Sequence, residues 1–473
     1  MKHSKALVGV VGFAIFGCSQ PDMARNGTRL PVVEPDEHAR GFVYGDIEGH
    51  TLGSTVACGP DVDGNGLGDV SFTADNFDYQ IRLADTSRAI YRANGPLVDR
   101  VRHDEIDGWH IREGALLTPS FGHGHVLLEA PHPAGLLFVG TTNDLDREPE
   151  QDGTQMARFA RTNEAEVADV RDAYINFAGT SALNAQLLPD LNGDGLPEVA
   201  LGHNRFGVLI LTAPPNGEVD VEEAAWATLG IPEENSTAIV GSSLLPGDFD
   251  GDGSTDLSVQ VIGADHPFPG EVVVVFGPLE PGSYALGTGS RELAIDGLRE
   301  AGLTRLGQAS GDLNGDGIDD LILATHTGPD GGWVRVYFGP LMPGILSADS
   351  ADVVLAPEQP GAWFGTSVVV GDFDGSGDPA LAIGASMNGF YDEDAPPGLV
   401  YVMRAPFLAG ARVPDDVQTV LQGKHPRDNF GWSLAACDTD RDGRDELVIG
   451  ATDHTERRRA QRGGAVYHSV VPP

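Results

Sequence analysis

The constraint that narrows the fold most is a short acidic loop that returns six times along the chain. Its clearest copy is Asp312-Leu-Asn314-Gly-Asp316-Gly-Ile318-Asp-Asp320, followed at once by the apolar run Leu321-Ile-Leu-Ala324. Oxygen-bearing side chains fall at positions 1, 3, 5 and 9, and Gly317 stands at position 6. Such a loop can wrap a hard cation. Alternate side chains turn inward, the carbonyl of position 7 adds a ligand, and the glycine permits the sharp turn. The apolar run reads as a buried strand.

Six sets of candidate ligands follow. They are Asp61, Asp63, Asn65, Leu67 and Asp69; Asp190, Asn192, Asp194, Leu196 and Glu198; Asp248, Asp250, Asp252, Ser254 and Asp256; Asp312, Asn314, Asp316, Ile318 and Asp320; Asp372, Asp374, Ser376 and Asp378; and Asp438, Asp440, Asp442, Arg444 and Glu446. The member at position 7 acts through its backbone carbonyl. The last two loops depart from the pattern: Ala380 stands where the final carboxylate belongs, and Arg441 replaces a glycine. Hard oxygen donors in this number suit calcium. An EF-hand would need a bidentate Glu at position 12 and a helix on each side. Position 12 is instead Ser71, Leu201, Val259, Leu323, Ile383 and Ile449. The segments that follow are short and β-like, so the metal is expected at a corner between two strands.

Loop starts at 61, 190, 248, 312, 372 and 438 leave gaps of 129, 58, 64, 60 and 66 residues. The first gap is about twice the others, and a copy without loop chemistry fills it. The stretch from Phe121-Gly122 to Gly140 runs in the frame of Phe364-Gly365 to Gly384 and keeps only Glu129 as a candidate ligand. Seven repeats of about sixty residues result, a period typical of propellers and solenoids. Each repeat has a strand opened by Phe-Gly or a relative, the loop, a second strand, a variable hairpin, a third strand and a shorter fourth. Four antiparallel strands make one propeller blade. The last repeat stops after its third strand, while Gly41-Phe-Val-Tyr-Gly45 near the start resembles a fourth. The fold expected is all-β: a seven-bladed β-propeller of four-stranded antiparallel blades, closed by an N-terminal strand that completes the last blade and hides both edges.

Phe-Gly, then the Asp-rich loop, then Gly-x-Val-Tyr-Val with a trailing Gly-Pro resembles the FG-GAP repeat of integrin α-subunit β-propellers and their bacterial relatives. The resemblance covers residues 41–473. It implies a seven-bladed propeller with calcium between the first and second strands of a blade, and says little about biological role.

Formal net charge is −40, which argues against nucleic acid, because phosphate binding needs clustered Lys and Arg. Positions 1, 3, 5 and 9 of the loops hold 19 of the 70 Asp and Glu residues. Lys2 and Lys5 precede an apolar stretch from Ala6 to Phe16 that is too short to span a bilayer. Ile15-Phe16-Gly17-Cys18 then resembles a bacterial lipobox with Cys18 as the lipidated residue. Residues 1–18 are thus expected to be a signal peptide, and 19–40 a flexible tether. The membrane is then met only through this lipid anchor. The protein would be exported and held in the cell envelope, at the outer membrane, or secreted. Cys58 and Cys437 lie just upstream of the first and last loops. Export permits a disulfide, and the sequence leaves open whether they are two buried thiols or a bridge between neighbouring innermost strands.

The functional expectation is a non-catalytic, calcium-stabilised scaffold for protein or glycan. Its ligand would meet the face opposite the calcium loops, where Phe390-Tyr391 and the basic run Arg457 to Arg462 collect. No Gly-x-Ser-x-Gly elbow and no His-Glu-x-x-His occurs. The alternative is an extracytoplasmic hydrolase or lyase with its site at the central channel. His123, His125 and His132 read as ordinary polar residues of a degenerate blade, and the five Trp as packing between blades.

Overall fold

In a computed structural model, the structure describes residues 32–33, 39–45, 50–59, 61, 64–76, 89–97, 99–102, 108–112, 125–128, 135–141, 154–156, 173–176, 182–203, 207–212, 217–220, 225–231, 238–263, 271–287, 289–298, 306–327, 331–357, 362–386, 396–409, 417, 419–453, 463–469 and 471. Among them the regular structure is strand, apart from a short 3-10 turn at Ala348–Ser350. The fold is all-β.

Six sheets share one antiparallel order. Sheet A is His50–Cys58, Val70–Asn76, Ala89–Ala93 and Gly108–Arg112. Sheet B is Ala182–Leu187, Val199–His203, Gly207–Leu211 and Ala227–Gly230. Sheet C is Ile239–Gly247, Asp256–Ile262, Val272–Val275 and Glu292–Asp296. Sheet D is Gly307–Gly311, Asp320–Thr325, Trp333–Tyr337 and Val353–Leu355. Sheet E is Phe364–Gly371, Ala380–Ala385, Leu399–Arg404 and Thr419–Gln422. Sheet F is Phe430–Cys437, Glu446–Ala451 and Ala465–Ser469, with Ala39–Tyr44 as its fourth strand. The degenerate repeat contributes three described strands, His125–Leu128, Gly135–Thr141 and Thr154–Met156.

The second and third strands are apolar on both faces. Val272–Val275 and Ala380–Ala385 are buried throughout, because each sheet packs against a neighbour on either side. The cores accordingly lie between sheets. One gathers Leu257 and Val273 of C with Ala200 and Leu229 of B. Another gathers Tyr467 and Ile449 of F with Val400 and Leu421 of E. A further one joins Val448 and Val466 of F to Leu52, Phe72 and Tyr91 of A. The last sheet therefore packs on the first.

The Phe-Gly signature has a packing cause. Gly53, Gly241, Gly365 and Gly431 take φ of 87, 85, 81 and 86°, at bulges that shift the register of the first strand. Only glycine holds such angles without strain. Three of these glycines also press on a glycine in the second strand of the preceding sheet. A Cβ on Gly202, Gly384 or Gly450 would lie 1.9, 2.1 or 2.2 Å from the carbonyl oxygen of Gly241, Gly431 or Gly53. Ser367 Oγ donates to the Gly431 carbonyl at 2.8 Å, and Ser433 Oγ donates to that of Gly53 at 2.8 Å. The joint between F and A thus repeats the joint between E and F.

A second coupling was not foreseen from the sequence. The link between third and fourth strands adds a parallel strand to the outer edge of the preceding sheet. Gly282–Ala285 pairs with Ala227–Gly230, Gly344–Ser347 with Glu292–Asp296, and Asp99–Arg102 with Ala39–Tyr44. These strands cover edges that would otherwise be open to pairing. Val32–Val33 does the same to Thr419–Gln422, which corrects the expected tether: its β-branched pair is an edge strand, and its last two residues, Ala39 and Arg40, belong to sheet F. Cys58 and Cys437 form a disulfide between the first strands of A and F, across 379 residues of sequence. It settles the alternative left open by the sequence in favour of the bridge.

Gly431→Ala should destabilise more than Gly297→Ala in denaturant titrations. Both glycines have positive φ, 86 and 98°, worth about 1–3 kcal/mol for an L-residue. Only at Gly431 does the added Cβ also meet the Leu399 carbonyl oxygen, at 2.8 Å. Equal losses would refute the close-approach account of the Phe-Gly signature.

Candidate metal centres

Each acidic loop is folded first by its own carboxylates. Asp312 accepts from the amides of Gly315, Asp316 and Gly317 at 2.6, 3.0 and 2.7 Å. Asn314 accepts from Asp316 N, and Asp316 from Ile318 N, both at 2.9 Å. The loops beginning at Asp190, Asp248, Asp372 and Asp438 repeat this pattern. Asp61 does so toward Gly64, Asn65 and Gly66, while Asp63 lies outside the described residues. Positions 4 and 6 both take left-handed backbone, for example Gly315 at 83° and Gly317 at 87°. Arg441 is held at 62° where the other loops have glycine.

Where a position-9 carboxylate is present, it is the hinge of the corner. Asp256 is fully buried and accepts from Phe249 N at 2.8 Å within its loop and from Gly277 N at 2.7 Å beyond the third strand. Asp320 does the same with Leu313 N and Gly339 N, at 2.8 and 2.9 Å, and Asp69 takes Gly95 N at 2.9 Å. This explains the glycine of the trailing Gly-Pro. Its amide is spent on the last carboxylate, and a Cβ there would meet backbone, as at Gly277, 2.4 Å from the Thr255 carbonyl oxygen.

Carboxylates converge as a cation would require. Ligand oxygens of Asp190, Asp194 and Glu198 lie within 4.8 Å of one another, as do those of Asp248, Asp250 and Asp256 and those of Asp438, Asp440 and Glu446. Burial pushes the Asp256 and Asp320 carboxyls up to about 6 against the pull of their amide partners, and nearby Asp250, or Asp316 and Asp312, add to the rise. Burial likewise raises Glu198, with Asp190 and Asp194 adding to it. All-oxygen donors around a buried carboxyl that is raised fit a hard divalent cation. Bound there, it would neutralise the cluster and fix the corner.

The loops also touch one another through position 8, which the ligand pattern leaves unassigned. Asp319 N donates to the Asp248 carbonyl at 3.2 Å, and Asp248 N donates to Asp319 Oδ2 at 3.0 Å. Asp445 and Asp372 make the same reciprocal pair, both bonds at 2.8 Å. Sheets C and D, and sheets E and F, are thus clipped at their acidic corners.

Sheet F holds one further polar cluster. Thr439 Oγ1 donates to Glu446 Oε2 at 2.7 Å and lies 3.1 Å from His468 Nε2. Burial, aided by the charge of Arg40, lowers His468 to about 4. All three side chains are shut from solvent, so the cluster is core architecture. Cys18, the side chains of His123, His125 and His132, Phe390, Tyr391 and the run Arg457 to Arg462 lie outside the described residues. Trp363 and Trp432 pack across the E–F joint with centroids 6.2 Å apart.

Residues 430–469 match the family model of the FG-GAP repeat. Phosphatidylinositol-glycan-specific phospholipase D of Rattus norvegicus is 32% identical over 200 residues, 38% of this chain and 23% of that protein. The proteins of the same name from Bos taurus and Homo sapiens are 35 and 34% identical over 31% of this chain, covering 19 and 18% of their own lengths. The chain therefore spans about a fifth of the length of these relatives. Crystal structures of BBS1N in complex with ARL6DN, soaked with mercury or lead, align with 90% of this chain and 93 or 94% of theirs, at TM-scores of 0.43 and 0.45 and 11% identity. The expectation of a protein that is not an enzyme is overturned by the relatives, each of which is named as one.

Chelation should lower the melting temperature. At free calcium about ten times Kd, one site adds about 1.4 kcal/mol, so an unchanged melt with chelator would sink the structural role. Without metal, Asp256 and Asp320 stabilise the fold while protonated. That contribution is full below about 4, the unfolded value, and is lost as pH rises through about 6. Chelated protein should therefore melt lower at pH 7.5 than at 5, and the gain from calcium should be larger at 7.5. D256N/D320N should flatten both trends in calorimetry.

Proposed function

We propose that the chain is an extracytoplasmic, calcium-stabilised β-propeller of seven blades that works in phosphodiester hydrolysis on a phosphoinositol-glycan class of substrate. The observation that carries the reading is the 32–35% identity to phosphatidylinositol-glycan-specific phospholipase D over 155–200 residues, about three repeats' worth of chain. The packing of sheet F on sheet A supports closure of the ring, and the disulfide supports an oxidising compartment. Cys18 would tether the protein to the envelope by a lipid. The substrate's glycan would meet the face opposite the metal corners, with the reacting phosphodiester at the central channel. Calcium would serve geometry, holding the blade corners so that channel and face keep their shape.

Purified protein, calcium-loaded and shown folded by its melt, should release a glycan-anchored reporter protein from phosphatidylinositol-glycan vesicles. The lipid phosphate should stay behind as phosphatidic acid, and chelation should stop the release. A folded, calcium-loaded protein that releases nothing would overturn the hydrolytic reading.

A further inference from the structure

Two of the six predicted metal loops already contain a cation of the chain's own. In the loop beginning at Asp438, the Arg40 guanidinium reaches the inward carboxylates at positions 3, 5 and 9. Nη1 pairs with Asp440 Oδ2 and stands 3.1 Å from Glu446 Oε1, while Nη2 is 3.4 Å from Asp442 Oδ2. These are the side chains that would close around a metal. Arg40 is positioned for this by the fourth strand of sheet F, whose residues Ala39 to Tyr44 pair with Ala465–Ser469.

In the loop beginning at Asp372, the guanidinium comes from Arg404. Its Nη2 is 2.8 Å from Asp374 Oδ2, the position-3 carboxylate. Arg404 pairs directly across the strands with Ala380, the residue that replaces the position-9 carboxylate. The two changes are complementary. Where the last carboxylate is followed by a Gly-Pro, the residue before that Gly-Pro is uncharged: Asn94, Phe276 or Phe338. Where it is lost, an arginine stands there, and the Ala405 amide turns to the Pro379 carbonyl at 3.0 Å. The small Ala380 leaves a cleft beside Phe373, Val402 and Val471, and Arg404 lines it.

We propose that Arg40 and Arg404 are built-in counter-ions that take the place of calcium in the loops at 438 and 372, so that these two corners fold without metal. Calcium is then confined to the loops at 61, 190, 248 and 312. The planar, permanently charged guanidinium suits this role, since it can engage several carboxylate oxygens at once and does not lose its proton. The consequence lies at the F–A joint. Arg441, in the same loop, extends toward Asp61 Oδ2 of the first loop at 3.9 Å, and the disulfide joins the same two first strands. That joint is held by covalent and internal ionic links, whereas the C–D joint is clipped between two metal corners. The inference concerns which loops bind metal and stands apart from the hydrolytic reading.

Bound calcium, counted by elemental analysis after gel filtration in calcium buffer, separates the cases. Asp248→Asn and Asp312→Asn should each cost one calcium, while Asp440→Asn and Asp374→Asn should cost none. Arg40→Gln frees three carboxylates and should gain one. A loss of one calcium on Asp440→Asn or Asp374→Asn would overturn the proposal. The second readout needs no calcium: with chelator throughout, Arg40→Gln and Arg404→Gln should each melt lower than the parent. Unchanged chelated melts would overturn the proposal even if no loop bound calcium, and that last result would instead refute the metal reading of the other four loops.

Discussion

Everything in this molecule hangs on like charges brought together at strand corners. Each loop turns two to four carboxylates inward, and in the loops at 61, 248 and 312 the last of them is buried between its own loop and the glycine beyond the third strand. The amides of Phe249 and Gly277 hold Asp256 in place but cannot cancel its charge, which is why burial raises it and Asp320 so far. A buried carboxylate cluster is tolerable only when protonated or matched by a cation. The same cluster shapes the corner that turns the first strand into the second, so the charge problem and the fold problem have one solution.

From the corner the constraint spreads sideways. Reciprocal bonds between Asp248 and Asp319, and between Asp372 and Asp445, tie the corner of C to that of D and the corner of E to that of F. The outer edge is tied by borrowed parallel strands and the inner edge by glycine-on-glycine contact. Apolar cores between the sheets fill the space that these three ties define. A sheet of four short strands has little core of its own, so stability in such a repeat is chiefly a property of joints.

The enzymatic names of the relatives change how the scaffold is read, since a rigid disc can serve a reaction as well as adhesion. A propeller can gather reacting groups from several blades, and such groups have no fixed spacing along the chain.

The sequence by itself determined the local units: six acidic loops, the apolar strands after them, the period of about sixty residues and the glycines that make the turns. These follow from short-range chemistry, since a loop's ligands are at most nine residues apart and a strand declares itself by its own run of apolar residues. Tertiary structure alone decided who neutralises whom and what lies beside what. Arg40 finds Asp440 across 400 residues and Cys58 finds Cys437 across 379. Val32–Val33, which reads as tether, becomes the edge of sheet E. Asp319, one residue from a ligand, turns out to be a clip between sheets rather than part of the site. Pairings of that kind depend on how successive sheets are arranged in space, and residues far apart in the chain leave no periodic trace of them.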